Sequence, residues 1–231
     1  MIKFDPTSGL LFVVATPIGN LEDITLRALR VLGQADIIAC EDTRITLKLL
    51  NKYGLKKRLI SYYQAKEAGR VPQIMRFLRE GKKVALVSDS GTPGISDPGY
   101  RLIQAAIAEN IRVVPIPGPS ALTAALSAAG LPLTRVLFLG FPTTKRERLR
   151  KLITSLSEEE GTIVFYLPGR RLLSFLELIA RLLGNRQIVI ARELTKMHEE
   201  FIRGRVEEVI RTVQEAQIKG EITLLIEGKK S

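Results

Sequence analysis

Short apolar runs alternate with amphipathic stretches along the chain. The runs in the first half are almost continuously apolar, as expected of strands that are buried on both faces. We predict strands at residues 10–15, 35–39, 58–63, 83–88 and 112–116. Helical periodicity lies between them, at residues 26–32, 43–53, 71–80 and 100–109. This alternation predicts an α/β fold with a mostly parallel sheet and helices on both of its faces.

A proline-rich segment interrupts the pattern at residues 115–120, PIPGPS. Three prolines and a glycine in six residues continue neither a strand nor a helix. A second α/β series follows, with strands predicted at 136–141, 162–167, 187–193, 201–203 and 221–227, and helices at 121–129, 146–155, 172–183 and 206–217. We therefore predict two α/β domains, residues 1–118 and 119–231.

The composition narrows the class of protein. With 45% hydrophobic residues among 231, the chain can form one large core or two small ones. No apolar run approaches the roughly 18–20 residues of a membrane-spanning helix, so no membrane association is expected. Cys40 is the sole cysteine and cannot form an internal disulfide, which favours the cytoplasm. With His198 as the sole histidine, we expect no metal site.

The charge points to a polyanionic partner. Lys and Arg total 35 against 24 Asp and Glu, a net charge of +11. A basic set beginning near residue 145 suits contacts to RNA phosphates, although a solvated helix face is the alternative. Its members are Lys145, Arg146, Arg148 and Arg150, with Lys151 beside them and Arg170 and Arg171 further on. Aromatic residues are only 6% and Trp is absent, which argues against an RNA binder built mainly on base stacking.

Three loops rich in Gly, Pro and hydroxyl residues follow predicted strands. They are ATPIGNLEDIT at 15–25, SDSGTPGISDPG at 88–99 and PGPS at 117–120. The first of them is neither a dinucleotide fingerprint nor a P-loop. Because open α/β sheets bind ligands at the carboxyl ends of their strands, the loops suggest one shared crevice. Ordinary turns and an interdomain hinge remain the alternatives.

A fourth motif, RELTKMHEE at 192–200, concentrates charge at the end of a strand. Its side chains could supply an acid, a base or a phosphate contact. A solvated, salt-bridged turn explains the same pattern.

Taken together, these motifs resemble the tetrapyrrole methylase superfamily. The resemblance is closest to its branch that methylates the 2′-hydroxyl of a cytidine in 16S ribosomal RNA. The matching segments are TPIGNLEDIT (16–25), CEDTR (40–44), VALVSDSGTPGISDPG (84–99), PIPGPSA (115–121), RELTKMHEE (192–200) and KGEITLLIEG (219–228). They span most of the chain, in the family's order.

The resemblance implies two α/β domains with S-adenosylmethionine in the cleft between them. It also implies a homodimer and a substrate that is 16S rRNA, within the 30S ribosomal subunit or free. Carried over residue by residue, the cofactor-binding positions are Pro17, Ile18, Gly19, Asn20, Asp89, Ser90, Gly91, Thr92, Pro93, Ile95, Ser120, Ala121, Gly220 and Glu221.

Two segments depart from the branch. It usually reads SYHEHNE and FYESPHR, where this chain has SYYQAKE at 61–67 and FYLPGR at 165–170. No histidine is therefore available at those places to accept a proton. Methyl transfer to a ribose hydroxyl requires alignment of the reactants and removal of a proton, and it requires no metal. Glu41 and Lys196 are our first choices for the base, ahead of Asp42 and Asp89.

Two alternative functions stay open. A methylase of a tetrapyrrole or cobalamin precursor would share the fold, although the charge of +11 counts against it. The missing histidines also allow a non-catalytic, ribosome-associated protein that binds S-adenosylmethionine.

Overall fold

A computed structural model describes residues 9–216 and 218–229. The chain divides into two compact units, the first ending at Ser120 and the second beginning at Ala121. None of the helices in the described ranges combines the length and apolar character needed to cross a membrane.

The first unit is a regular βα series. Its elements are β1 (Leu10–Val14), α1 (Leu26–Gln34), β2 (Ile37–Cys40), α2 (Thr43–Lys52), β3 (Arg58–Ser61), α3 (Glu67–Arg79), β4 (Lys83–Val87), α4 (Tyr100–Ala108) and β5 (Arg112–Ile116). The strands form one sheet in the order β3-β2-β4-β1-β5, and every neighbouring pair is parallel. The predicted α/β class is confirmed.

Alternate side chains of this sheet enter two different apolar layers, since successive residues of a strand point to opposite faces. Leu11 packs in the layer that holds Leu78 of α3 and Leu102 of α4. Its neighbour Phe12 packs in the other layer, against α1 and α2. Helices therefore cover both faces of the sheet. Because all of its strands are parallel, the loops that follow them leave from one edge.

The helix α3 differs from its prediction. It begins at Glu67, four residues before the predicted start, and runs through Pro72. Proline removes one backbone donor from the helix. The face that contains Ile74, Met75 and Leu78 is fully buried, and this packing stabilises the helix despite the lost hydrogen bond.

The second unit has a mixed sheet. Its elements are α5 (Ala121–Ala129), β6 (Val136–Gly140), α6 (Arg146–Thr154), β7 (Thr162–Pro168), α7 (Leu172–Leu183), β8 (Gln187–Arg192), β9 (Glu200–Arg205), α8 (Val206–Ala216) and β10 (Glu221–Ile226). The strand order is β6-β7-β10-β8-β9; β6 and β7 are parallel, and the other pairs are antiparallel. The predicted strand at 201–203 extends further in both directions. Gln217, the last residue of the predicted helix 206–217, lies outside the described residues.

The last strand in the chain is central in this second sheet. β10 lies between β7 and β8, and Leu224 is fully buried there. One face of the sheet packs under α6, α7 and α8 around Phe165, Phe175 and Ile190. This arrangement brings the entry to β10 beside the ends of β7 and β8.

Candidate functional site

The loops after β1 and β4 are joined through their backbones. Thr16 donates its N–H to the Gly91 carbonyl at 2.8 Å, and Gly91 donates back to the Thr16 carbonyl at 3.0 Å. The Thr16 hydroxyl donates to the Ser88 carbonyl at 3.1 Å. Thr16 is 3% exposed, so these bonds form away from water. The first two glycine-rich motifs therefore form one unit at the carboxyl edge of the sheet.

The PGPS loop after β5 joins the same place. Thr92 donates from its hydroxyl to the Pro119 carbonyl at 3.5 Å. A Cβ on Gly118 would lie 3.1 Å from the Cβ of Ala15, so this glycine permits close packing of the loop on the end of β1. The three loops that sequence analysis singled out thus converge within the first unit.

Most predicted cofactor residues lie on these three loops. They are Pro17, Ile18, Gly19, Asn20, Asp89, Ser90, Gly91, Thr92, Pro93, Ile95 and Ser120. Ala121 begins α5 in the second unit, whereas Gly220 and Glu221 lie at the start of β10. The assignment of these residues to a cofactor stays a prediction.

Asn20 and Asp23 have different local roles in the first loop. The Asn20 carboxamide oxygen accepts from the N–H of Glu22 at 3.1 Å and caps a short 3₁₀ helix, Leu21–Asp23. The Asp23 Oδ2 atom is shielded from water and has no hydrogen-bond partner among the described residues. A buried oxygen without a donor is costly, so a ligand that donates a hydrogen bond would stabilise it.

Acidic side chains gather where β2 and β4 end. The Asp89 carboxylate accepts from the N–H of Asp42 at 2.8 Å. Partial burial raises the pKa of Glu41, and repulsion from Asp89 adds to the rise. Burial also raises the pKa of Asp97, to about 6, with repulsion from Glu41 as the second cause. The negative charges destabilise one another, and a cationic ligand would relieve this repulsion.

Asp42 differs from its acidic neighbours. Hydrogen bonds from the side chain and backbone of Arg44 lower the pKa of Asp42 to about 2. Asp42 is also the N-cap of α2, where it accepts from the N–H of Arg44 at 2.8 Å. An ionised, paired cap is a poor proton acceptor at neutral pH, so the geometry favours Glu41 over Asp42 as a base.

A buried glutamate that sequence analysis did not select supports the second loop. Glu67 accepts hydrogen bonds from the Tyr62 hydroxyl at 2.7 Å and from the N–H of Gly99 at 3.1 Å. Arg101 approaches its other carboxylate oxygen at 3.7 Å. These contacts anchor the end of the SDSGTPGISDPG loop and the start of α4. The available signal was the glutamate that ends the SYYQAKE segment.

In the second unit, Lys196 forms a charged triad. Its ammonium donates to Glu193 at 2.9 Å and to Glu221 at 2.8 Å. Partial burial acts to lower the pKa of Lys196, but the hydrogen bonds to Glu221 and Glu193 outweigh it, and the pKa is raised. A protonated lysine cannot accept a proton, so this environment favours Glu41 over Lys196 as the base.

The RELTKMHEE motif is a salt-bridged turn in the structure. Arg192 pairs with Glu200 at 3.1 Å, and Glu199 accepts from the N–H of Thr195 at 2.5 Å. His198 is exposed on the same turn. These contacts explain the charge pattern without a catalytic role for the histidine.

A cavity of about 670 Å³ lies beside Gly220 in the second unit. Gly169 and Gly220 are in close backbone contact there, with the Gly169 N–H donating to the Gly220 carbonyl at 2.7 Å. A Cβ on Gly220 would fall 2.6 Å from Oε1 of Glu193. The two predicted cofactor residues, Gly220 and Glu221, line this cavity together with Arg170.

The predicted basic set lies around the start of α6. Lys145, Arg146, Arg148 and Arg150 are exposed, as is Arg170 at the other end of the set. Arg171 is half-buried and donates to the carbonyls of Pro142 and Thr143, at 3.1 and 3.0 Å. Arg171 therefore holds the loop before α6, and its assignment to RNA binding stays a prediction.

Within the described ranges, no group of three or more His, Cys, Asp and Glu residues is placed to hold a metal ion.

Comparison with known proteins defines the class to which this fold and these loops belong. The family model described as Tetrapyrrole (Corrin/Porphyrin) Methylases matches residues 10–210. The chain belongs to this methyltransferase family. The solved structure of the methyltransferase CobJ has the same fold, with a TM-score of 0.71 and 21% identity, and the match covers 97% of each chain.

Two relatives are similar in sequence to this chain over most of its length. The ribosomal RNA small subunit methyltransferase I of Thermotoga maritima is 48% identical over 222 residues, which is 96% of this chain and 100% of the relative. The protein of that name from Halalkalibacterium halodurans is 46% identical over 95% of this chain and 76% of its own length.

Proposed function

We propose that this chain transfers a methyl group from S-adenosylmethionine to the 2′-hydroxyl of a cytidine ribose in 16S rRNA. The observation that carries the proposal is the convergence of three loops through the Thr16–Gly91 and Thr92–Pro119 hydrogen bonds. The chain that contains them is nearly half identical to a small-subunit rRNA methyltransferase. The same convergence supports a cofactor role for the residues on those loops.

The chemistry of the loops fits S-adenosylmethionine. This molecule carries a sulfonium cation, an ammonium group and ribose hydroxyls. The mutually repelling Glu41, Asp89 and Asp97 favour a cation, and the shielded Oδ2 of Asp23 lacks a donor among the described residues. When bound, the cofactor supplies an electrophilic methyl group together with its leaving group. The residues of the chain then have to align the acceptor and remove its proton.

Glu41 is the proposed general base. Its carboxylate would accept the hydroxyl proton as the bond from the ribose oxygen to the methyl carbon forms. A raised pKa brings a carboxylate closer to the operating pH and makes it a better proton acceptor, provided that it is still ionised. We assign Lys196 a different role, in which its ion pairs with Glu193 and Glu221 hold the entry to β10.

The substrate follows from the relatives and the charge. The net charge of +11 and the exposed cations around α6 suit the phosphates of RNA. We place the active form in the cytoplasm, as a homodimer that acts on the 30S subunit or on its naked RNA.

A tritium-transfer assay tests the proposal. Purified protein and methyl-labelled S-adenosylmethionine are mixed with 30S subunits, with naked 16S RNA and with a tetrapyrrole precursor. We expect label on RNA, at a nucleotide whose 3′ linkage resists alkaline cleavage because its 2′-oxygen is methylated. Label on the tetrapyrrole alone would transfer the protein to the small-molecule methylases. Cofactor binding without label on any acceptor would identify a binding protein instead.

A further inference from the structure

The edge strand β6 contains a β-bulge next to its end. Phe138 pairs with Val164, but the next paired residue of β6 is Gly140, which lies opposite Phe165. Strand β6 therefore uses two residues where β7 uses one. Gly140 has a φ of 61°, a conformation that glycine adopts without strain. Bulges redirect the side chains that follow them.

The side chain redirected here is Phe141. In a regular strand, residues 138 and 141 would point to opposite faces. In the structure both rings contact Tyr166, with centroid separations of 5.0 Å for Phe138 and 5.4 Å for Phe141. Phe141 is nevertheless 61% exposed. One side of its ring is supported by Tyr166, and much of the rest is open.

The backbone just after Phe141 is held in place. The guanidinium of Arg171 donates to the carbonyl oxygens of Pro142 and Thr143. Arg171 lies immediately before α7, whose core residues Leu172 and Phe175 are buried. Arg171 holds the backbone on one side of Phe141, and the bulge fixes it on the other. Ordering the ring of Phe141 against a bound planar group would therefore cost little entropy.

Arg171 also connects Phe141 to a charged groove. This groove of about 670 Å³ lies between α6 and α7, and Arg146, Arg150 and Arg181 line it together with Arg171. The guanidinium groups of Arg146, Arg150 and Arg181 form no ion pair or hydrogen bond with the residues that the structure describes. Two acidic residues, Glu147 and Glu177, also line the groove, so its arginines exceed its carboxylates by two. Unpaired guanidinium groups are suited to phosphate oxygens.

We propose that Phe141 is a stacking platform for an unpaired base of the RNA substrate, and that the groove arginines bind the phosphates next to that base. The inference rests on the proposed function, since it requires RNA as the substrate. An aromatic ring accepts the face of any exposed base, whereas a paired base inside a duplex cannot reach it. A low aromatic content does not prevent this mode of binding, because it requires a single well-supported ring.

The absence of Trp gives a direct test. The variant Phe141→Trp would contain the only tryptophan of the chain, and its emission reports on stacking at that position. We expect a short single-stranded oligoribonucleotide to quench this emission and a duplex of the same sequence to quench it much less. Ile107→Trp, on the exposed side of α4, is the matched control and should show no such difference.

Binding constants complete the test. Phe141→Ala should weaken binding of the single strand about tenfold, Phe141→Leu by a similar factor, and Phe141→Tyr by less than about twofold. Binding of S-adenosylmethionine and the thermal midpoint should stay unchanged, which separates lost stacking from misfolding. The inference is overturned if the wild-type chain methylates RNA while Phe141→Ala binds it equally well and the emission of Phe141→Trp stays constant. If the wild-type chain neither binds nor methylates RNA, the proposed function fails as well.

Discussion

Thr16 and Gly91 donate their backbone N–H groups to each other's carbonyl oxygens, although 75 positions separate them in the chain. This pair joins the loop that follows β1 to the loop that follows β4. Gly91 has a φ of +80°, and a Cβ added there would lie 3.5 Å from Cγ2 of Ile18. Most of the proposed cofactor residues lie in these two loops, so the pair sets their relative position.

Gly91→Ala should weaken the binding of S-adenosylmethionine. A left-handed backbone costs an alanine about 1–2 kcal/mol, and rearrangement of either loop to relieve that strain would disturb the site. We expect an affinity loss of about fivefold or more, measured by calorimetry. Gly54→Ala is a matched control, because Gly54 has a φ of +67° and no atom within 4 Å of its added Cβ. Equal cofactor affinity in both variants would contradict a role for the Thr16–Gly91 pair.

Glu41→Gln should abolish most of the methyl transfer while the cofactor still binds. The substitution keeps the shape of the side chain and removes its ability to accept a proton. We expect kcat to fall by about 10² to 10⁴-fold at pH 8, measured by label transfer to RNA. Unchanged kcat in Glu41→Gln would require another base.

Lys196→Met should lower the thermal midpoint because it leaves Glu193 and Glu221 without their shared cation.

Asp97→Asn should stabilise the protein at high pH. The folded-state pKa of Asp97, about 6, is above its ordinary value of 3.8, so the folded protein binds its proton more tightly than the unfolded chain does. The contribution of Asp97 to stability is therefore greatest below about pH 4, and it is lost as the pH rises to about 6. Removing the charge should raise the free energy of unfolding by about 1 kcal/mol at pH 8, after allowance for screening, and by less at pH 5.

Urea unfolding at pH 5 and pH 8 measures this difference. Asp42, with its pKa lowered to about 2, stays ionised across that range and adds no slope of its own. Glu80→Gln, an exposed change at the C-cap of α3, serves as the control. An equal gain at both pH values would show that Asp97 acts through packing and not through its charge.

The first sheet and the positions of the loops at its carboxyl edge could be predicted from sequence because their signals are local. Strands buried on both faces, such as β1 and β4, are apolar runs, and Gly and Pro mark the loops that follow them. Contacts between distant segments have no such signal. The insertion of β10 between β7 and β8, and the β-bulge before Phe141, depend on pairing partners that lie far away in the chain.

The charged residues show the same difference between local sequence signals and contacts that depend on the folded structure. Asp89 and Asp97 belong to one motif and look equivalent in the sequence. Burial raises both pKa values, that of Asp97 to about 6, but for Asp89 a hydrogen bond from the N–H of Asp42 and the charge of Arg44 oppose the rise. The charged neighbourhood of Lys196 in the sequence makes it a candidate base. Glu221, one of its two ion-pair partners, is 25 positions away and could not be identified as a neighbour.

The salt dependence of RNA binding should locate the phosphate contacts. Each arginine that neutralises a phosphate adds about one unit to the slope of log K against log salt. Arg146→Gln with Arg150→Gln should therefore reduce that slope by about two units and weaken binding most at low salt. Arg27→Gln with Arg30→Gln removes the same net charge from exposed positions of α1. If both double variants reduced the slope equally, overall charge and not the groove between α6 and α7 would attract the RNA.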